Sequence, residues 1–205
     1  MSAETLAAIA VALGAGWASG LNAYAAVLVL GGAQRLGLVD LSADLQVLSS
    51  PWVLAVAAIL FALNFLADKI PYIDSVNDLL HTFVRVPAGA LLAYGAAAGL
   101  SQEVAVVAGL LGGTLAAGTH VAKTGSRALI NTSPEPFSNI AASLVEDVGV
   151  FGGLALALTH PITFLCLLAV FVGLLVWLLP KLMRLALLPF RRLTAQKPMA
   201  SKKRA

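Results

Sequence analysis

Six apolar stretches, each close to the length of a bilayer span, constrain this chain more than any other feature. A transmembrane helix needs about 20 mainly apolar residues. Residues 6–32, 51–67, 83–100, 104–122, 140–158 and 161–179 meet that need. Only 11% of the 205 residues are charged, against 60% hydrophobic. A soluble domain carries about 25% charge, so this chain has too little polar surface to coat a globule in water. The expected fold is an all-α, polytopic membrane protein of about six transmembrane helices. It comprises a membrane domain over 1–180 and a basic tail over 181–205.

Local signals place the helix ends. Ser49-Ser50-Pro51 offers a cap followed by proline in the first turn, and His160-Pro161 repeats the proline. Ser101-Gln-Glu opens the fourth span, and Pro180 follows the sixth. The start, Met1 to Glu4, lacks the basic region of a secretory signal, so the first apolar stretch reads as a span. Cys166 is the single cysteine, which excludes a disulfide within the chain.

Lysine and arginine set the expected direction. With the tail inside, the inner loops hold Lys69, Arg85, Lys123 and Arg127 plus eight tail residues, and the outer loops hold only Arg35. The even span count then puts both termini in the cytoplasm. A basic stretch directly after a span reads as an anchor on anionic lipid rather than a nucleic-acid contact. Leu182, Met183, Leu185, Leu187 and Leu188 alternate with Lys181, Arg184 and Arg191, as in a helix lying on the inner surface.

Six spans divide into three and three, over 1–100 and 101–180, as in transporters built from inverted repeats. Gly14, Gly20 and Asn22 align with Gly112, Gly118 and His120 at one offset, and Asn64 and Asp68 resemble Ser143 and Asp147. Chance similarity between Gly/Ala-rich helices gives the same pattern. Such helices pack closely whether or not they repeat, and they allow a homodimer.

Four polar stripes recur at helical spacing, three or four residues apart. The first is Asn64 and Asp68, near the inner end of span two. The second is Asp74, Asp78, His81 and Arg85, flanked by Asn77 and Thr82 and followed by Pro87, which is expected to kink or break the helix. That segment suits either the membrane surface or a re-entrant position. The third is His120, Lys123, Arg127 and Asn131, with cations placed to hold an anion or headgroup. The fourth is Asn139, Ser143 and Glu146, with Asp147 beside it. A carboxylate in mid-membrane costs at least about 2.5 kcal/mol on insertion scales. Two adjacent ones must be paired, protonated or facing water. Asn131-Thr-Ser-Pro-Glu-Pro-Phe-Ser-Asn139 interrupts the helix between the last two stripes. It is either a short cytoplasmic turn or a break lining a cavity. All four stripes fall on the inner half, so Asp68, Asp74, Asp78, Glu135, Glu146 and Asp147 are expected to meet Lys69, Arg85, Lys123 and Arg127 in one cluster.

No phosphate-binding loop, zinc-protease helix or nucleophile elbow occurs, and no nucleophile and base stand out as a pair. His81, His120 and Glu146 form a weak metal pattern; neither a metal nor a cofactor is expected.

Three runs carry a resemblance: Gly20-Leu-Asn-Ala-Tyr24, Ala67-Asp-Lys-Ile-Pro-Tyr-Ile-Asp74 and Arg127-Ala-Leu-Ile-Asn-Thr-Ser-Pro-Glu-Pro-Phe-Ser-Asn139. Over roughly residues 10–180 the chain resembles the bacterial membrane family called domain of unknown function 4126. The resemblance implies a bacterial membrane location, hence the cytoplasmic (inner) membrane, and no particular activity. The residues themselves point to a small secondary transporter or channel-like carrier. Asp68, Asp74, Asp78, Glu146 and Asp147 would couple a proton or cation. Arg85, His120, Lys123, Arg127, Asn131 and Asn139 would hold a small ion or anionic solute. A lipid flippase or headgroup-binding protein, and a non-transporting scaffold, are the other readings. Membrane lipid is the expected partner; nucleic acid is not.

Overall fold

A computed structural model describes residues 2–70, 72–132 and 136–195, and every described element is helical. The order is α1 (Ala3–Arg35), a short 3-10 helix (Ala43–Ser49), α2 (Pro51–Ala67), α3 (Ile73–Ala97), α4 (Gln102–Ile130), α5 (Pro136–Thr159) and α6 (Pro161–Ala195). The Ser2 and Ser101 hydroxyls accept the Thr5 and Val104 N–H groups, capping α1 and α4. Pro51 stands in the first turn of α2, where its missing N–H removes no helical bond.

By length and composition, α1, α4, α5 and α6 can each cross a membrane, and the 3-10 helix with α2, bent by 67°, makes a fifth candidate. The side chains are distributed inside out. In α3, Asp74 and Asp78 are fully buried, while Phe83 is 82% and Leu79 68% exposed. Trp52, Ile59, Leu63, Val170 and Trp177 are also exposed on other helices. An apolar coat over a charged interior suits lipid as the surrounding medium and would be costly in water.

The first helix departs most from expectation. At Asn22 its backbone leaves the helical region (φ −156°, ψ 98°). The Asn22 side-chain oxygen accepts the Ala25 N–H, so Asn22 ends one arm and N-caps the next. The two arms fold back on each other. Glu4, Val39 and Asp40 line one cavity of about 420 Å³ together with Leu100 and Leu158. A Cβ on Gly14 would touch Ala157, while Ala33, nineteen residues on, lines a cavity with Ala155 and Leu158. A straight helix would separate residues 14 and 33 by about 28 Å. So α1 is a helical hairpin with its tip at Asn22, and it enters and leaves at one end of the bundle.

Several expectations change with it. Span one, expected as a single crossing, doubles back, so the described residues do not build six separate crossings. The start of α1 lies at the Leu100 and Leu158 end, whereas Leu175 of α6 packs near Gly118 towards the other end. The start of α1 and the Leu175 part of α6 thus lie at opposite ends of the described bundle, against the expectation that both termini share a side. The inverted repeat fails too. The first arm of α1 runs parallel to α4 and against it, with Gly16 on Gly112, Gly20 on Ala116 and the Leu21 carbonyl by Lys123. Inverted counterparts would run in opposite directions. Of the aligned glycines, Gly20 and Gly112 lie where α1 packs on α4, whereas Gly14 faces Ala157 and Phe164 and Gly118 faces Leu175.

Three smaller corrections follow. Pro87 neither kinks α3 into two pieces nor breaks it; the helix continues to Ala97. The Ser19 hydroxyl donates to the Arg85 carbonyl (2.7 Å), two residues before that proline. The segment at 74–85 is no surface helix, because its polar face is buried. Likewise α6 runs on past Pro180 to Ala195. Residues 196–205, the last part of the basic tail, lie outside the described residues.

Glycine makes the closest packing possible. A Cβ on Gly112 would collide with Ala93 and stand 2.8 Å from the Gly89 carbonyl oxygen; one on Gly16 would stand 2.5 Å from the Gly112 Cα. Gly112→Val is expected to destabilise the bundle by roughly 1–3 kcal/mol or more, since backbone must move to admit it. A Cβ on Gly149 meets nothing within 4 Å, so Gly149→Ala should stay within about 0.5 kcal/mol of the parent. Unfolding by detergent titration would read both. Equal effects at the two sites would remove the packing argument.

Candidate functional site

The four stripes come together around the tip of the α1 hairpin. Lys123 of α4 is the hub. Its Nζ lies 2.6 Å from Oδ2 of Asp68, the residue that caps the end of α2, 3.6 Å from Asp78 Oδ1 on α3 and 3.3 Å from Glu146 Oε2 on α5. It also donates to the Leu21 carbonyl at 3.4 Å. That carbonyl ends the first arm of α1, where the helix break frees backbone acceptors. A cation is favoured at such a C-terminus.

Two arginines flank the hub. Arg85 Nη1 donates to Asp78 Oδ1 at 2.6 Å and Nη2 donates to Asn64 Oδ1 at 3.2 Å. Arg127 Nη2 donates to Glu146 Oε2 at 2.7 Å, while its Nη1 donates to Asn139 Oδ1, the Asn139 carbonyl and the Asp68 carbonyl. Both arginines are at most 1% exposed. Asn64 and Asn77 finish the coordination of Asp68, at 3.2 and 3.1 Å. Buried charges persist only when paired and hydrogen-bonded in this way.

His120 joins through both ring nitrogens. Arg85 Nη1 donates to Nδ1 (3.1 Å), so Nδ1 carries the lone pair. Nε2–H then donates to Thr82 Oγ1 (2.7 Å), whose own proton goes to the Asp78 carbonyl (3.1 Å). The network thus assigns the neutral Nε2–H tautomer.

Glu146 and Asp147 are neighbours in sequence and part company in space. Glu146 points to Arg127 and Lys123. Asp147 points to the hairpin tip, where Asn22 Nδ2 lies 3.5 Å from Oδ1. One turn back, Ser143 Oγ accepts from Lys69 Nζ at 3.3 Å, and Lys69 lies over the Phe65 ring.

Asp68, Asp78, Arg85, His120, Lys123, Arg127, Asn139 and Glu146, picked out by helical spacing, thus form one network, and Asp147 hangs from it through Asn22. Asp74 and Asn131 form a pair apart. Asn131 Nδ2 donates to both carboxylate oxygens, at 2.9 and 3.1 Å, and the Ser75 N–H donates to Oδ1. His81 bonds the Asn77 carbonyl of its own helix and meets Tyr24 edge-on, away from His120's contacts. Glu135 lies outside the described residues. The interruption at 131–139 is the connection from α4 to α5, described only in part. Its two ends reach charges, Asn131 at Asp74 and Asn139 at Arg127, and a second helix break, at Asn22, reaches Lys123 and Asp147.

The sequence model of one family, described as Domain of unknown function (DUF4126), matches residues 9–181. The chain belongs to that family. No curated protein and no solved structure matches it. The match covers all the charged residues of the cluster and the Asn22 tip, so within DUF4126 the site lies wholly in the shared domain. The family description carries no activity, and the chemistry rests on the residues.

Spacing missed the role of Asn22. A single asparagine in a helix of glycine, alanine and leucine was the available signal. Asparagine leaves the helix readily because its amide can replace a backbone partner.

Proposed function

We propose that this DUF4126 protein is a small ion-driven secondary transporter or channel-like carrier of the bacterial cytoplasmic membrane. The charged cluster is its coupling site and faces the cytoplasm. The observation that carries this reading is the broken helix. Discontinuous helices whose tips meet buried charges near mid-membrane are the usual way a membrane protein builds an ion site. Here the tip at Asn22 touches both Lys123 and Asp147 through Leu21 and its own amide. Buried ionisable groups in spans are expensive and mark ion or proton pathways by default.

Charge balance favours a cation or proton as the coupled species. Arg85, Lys123 and Arg127 each already hold a carboxylate. An anionic solute would have to displace one of these acids first.

Two measurements test the reading. The first screens purified protein for thermal stabilisation by monovalent and divalent cations, inorganic anions and phospholipids. A ligand at 100 times its Kd adds about 2.7 kcal/mol of stability; a response confined to the cation arm would make a metal cation the coupled species, and flux driven by a proton gradient without that response would make it the proton. The second measures solute flux into proteoliposomes under a proton or sodium gradient. Asp147→Asn is expected to lower flux at least about tenfold, the effect of about 1.4 kcal/mol on a barrier. Flux equal to that of the parent would sink the coupling role. No stabilisation by any ligand and no flux would leave a scaffold.

A further inference from the structure

The ion pairs of the cluster leave one acid over. Asp68, Asp78 and Glu146 are paired with Arg85, Lys123 and Arg127, while Asp147 and Lys69 stand outside those pairs among the described residues. The acids are held very unequally. Asp68, Asp78 and Glu146 each lie within 4.0 Å of a lysine or arginine. Asp74 forms no such ion pair among the described residues, but Asn131 and Ser75 hydrogen-bond it.

Asp147 stands apart. It is 8% exposed, and its Oδ2 has no hydrogen-bond partner among the described residues. Asp78 Oδ2 also has no hydrogen-bond partner among the described residues, but Asp78 Oδ1 is ion-paired with Arg85 and Lys123, whereas Asp147 Oδ1 receives only one long bond from Asn22, at 3.5 Å. Lys69 and Asp68, just past the end of α2, and Lys123 on α4 act on Asp147 electrostatically, and neither lysine forms an ion pair with it within 4.0 Å. A buried carboxylate oxygen without a partner is costly, and such an exception calls for a reason.

We propose that Asp147 is the proton-binding residue of the cluster, taking its proton on Oδ2 beside the α1 break. Glu146, though adjacent, is a positioning residue that holds Arg127. A metal cation fits less well. It would want about six oxygen ligands, and two lysines already face the site. A proton on Asp147 removes the one buried carboxylate charge of the cluster that no described lysine or arginine pairs within 4.0 Å. It also changes the grip on the hairpin. Ionised, Oδ1 accepts from the Asn22 amide in a charge-assisted bond; protonated, it loses the charge that makes that bond strong. Proton binding therefore sets how firmly the tip of α1 is held to α5. Only the use of the proton rests on the carrier reading.

Infrared difference spectroscopy tests this on the full chain in phospholipid nanodiscs, across a pH series. The parent is expected to show a protonated-carboxyl C=O band that titrates. Asp147→Asn should lose that band and Glu146→Gln should keep it. Asn22→Ala, which removes the hydrogen-bond donor, should shift it. The assignment is overturned by a titrating band that survives in Asp147→Asn, by no titrating band in the parent, or by a band unmoved in Asn22→Ala. The last variant keeps the test open should Asp147→Asn fail to fold. A band that behaves as expected, in a protein showing no flux for any solute, would remove the carrier reading and leave the proton site.

Discussion

Lys123→Met is expected to lower the stability of the fold by roughly 3–5 kcal/mol, the range for removing one partner of a buried ion pair. The loss should fall on one acid. Asp78 keeps Arg85 at 2.6 Å and Glu146 keeps Arg127 at 2.7 Å. Asp68 keeps only the amides of Asn64 and Asn77. It is 2% exposed, so water cannot replace the lysine without moving the helices. Asp68→Asn in the Lys123→Met background should therefore restore much of the loss, because it removes the stranded charge. Asp78→Asn in the same background should restore less. Detergent-titration unfolding of the four proteins of each cycle gives the two coupling energies directly. A single-variant loss below about 1 kcal/mol would mean that the cluster is wet and its ion pairs behave like surface ones.

This network was legible in the sequence, and the path of the chain through it was not. Polar residues at steps of three and four on apolar helices have one low-energy solution in lipid: they face each other. That logic needs no knowledge of which helix neighbours which. It found Asp68, Asp78, Arg85, His120, Lys123, Arg127, Asn139 and Glu146 without a topology. It separated Glu146 from Asp147 poorly, since a helical step of 100° turns neighbours onto different faces but does not say which face meets a cation. The hairpin in α1 was hidden for a different reason. Residues 6–32 are mainly apolar and long enough to span, and hydropathy does not register a reversal inside such a run. Ser19, Asn22 and Tyr24 are its polar residues, and such a residue in an apolar helix is equally consistent with a hydrogen bond to a neighbour, as Ser19 makes to the Arg85 carbonyl. The repeat signal rested on Gly14, Gly20, Gly112 and Gly118, and these glycines serve different contacts: Gly20 and Gly112 lie between α1 and α4, Gly14 faces Ala157 and Phe164, and Gly118 faces Leu175. Small residues recur wherever helices pack closely, so their spacing does not mark a repeat.

The hairpin has an all-or-none consequence for topology. If α1 turns back at Asn22, Glu4 and Arg35 lie on the same side of the membrane, opposite the far end of α6. The charges fix which side that is. Among the described residues, the end bearing Glu4, Asp40, Asp44 and Glu103 holds one lysine or arginine, Arg35, and the opposite end holds Lys69, Lys123, Arg127 and Lys181. Positive residues stay in the cytoplasm, so Glu4 is expected outside and Lys181 inside. Cysteines introduced one at a time at Glu4, Asp40 and Lys181, in a Cys166→Ala background, would report this in intact cells. A membrane-impermeant thiol reagent should label positions 4 and 40 and spare 181. Labelling at 40 alone, with 4 protected, would restore a conventional first span and take Asn22 away from the cluster. Labelling of 181 with 4 and 40 both protected would keep the hairpin and reverse the whole bundle. The coupling site would then open outward, and the proton at Asp147 would be drawn from the opposite compartment.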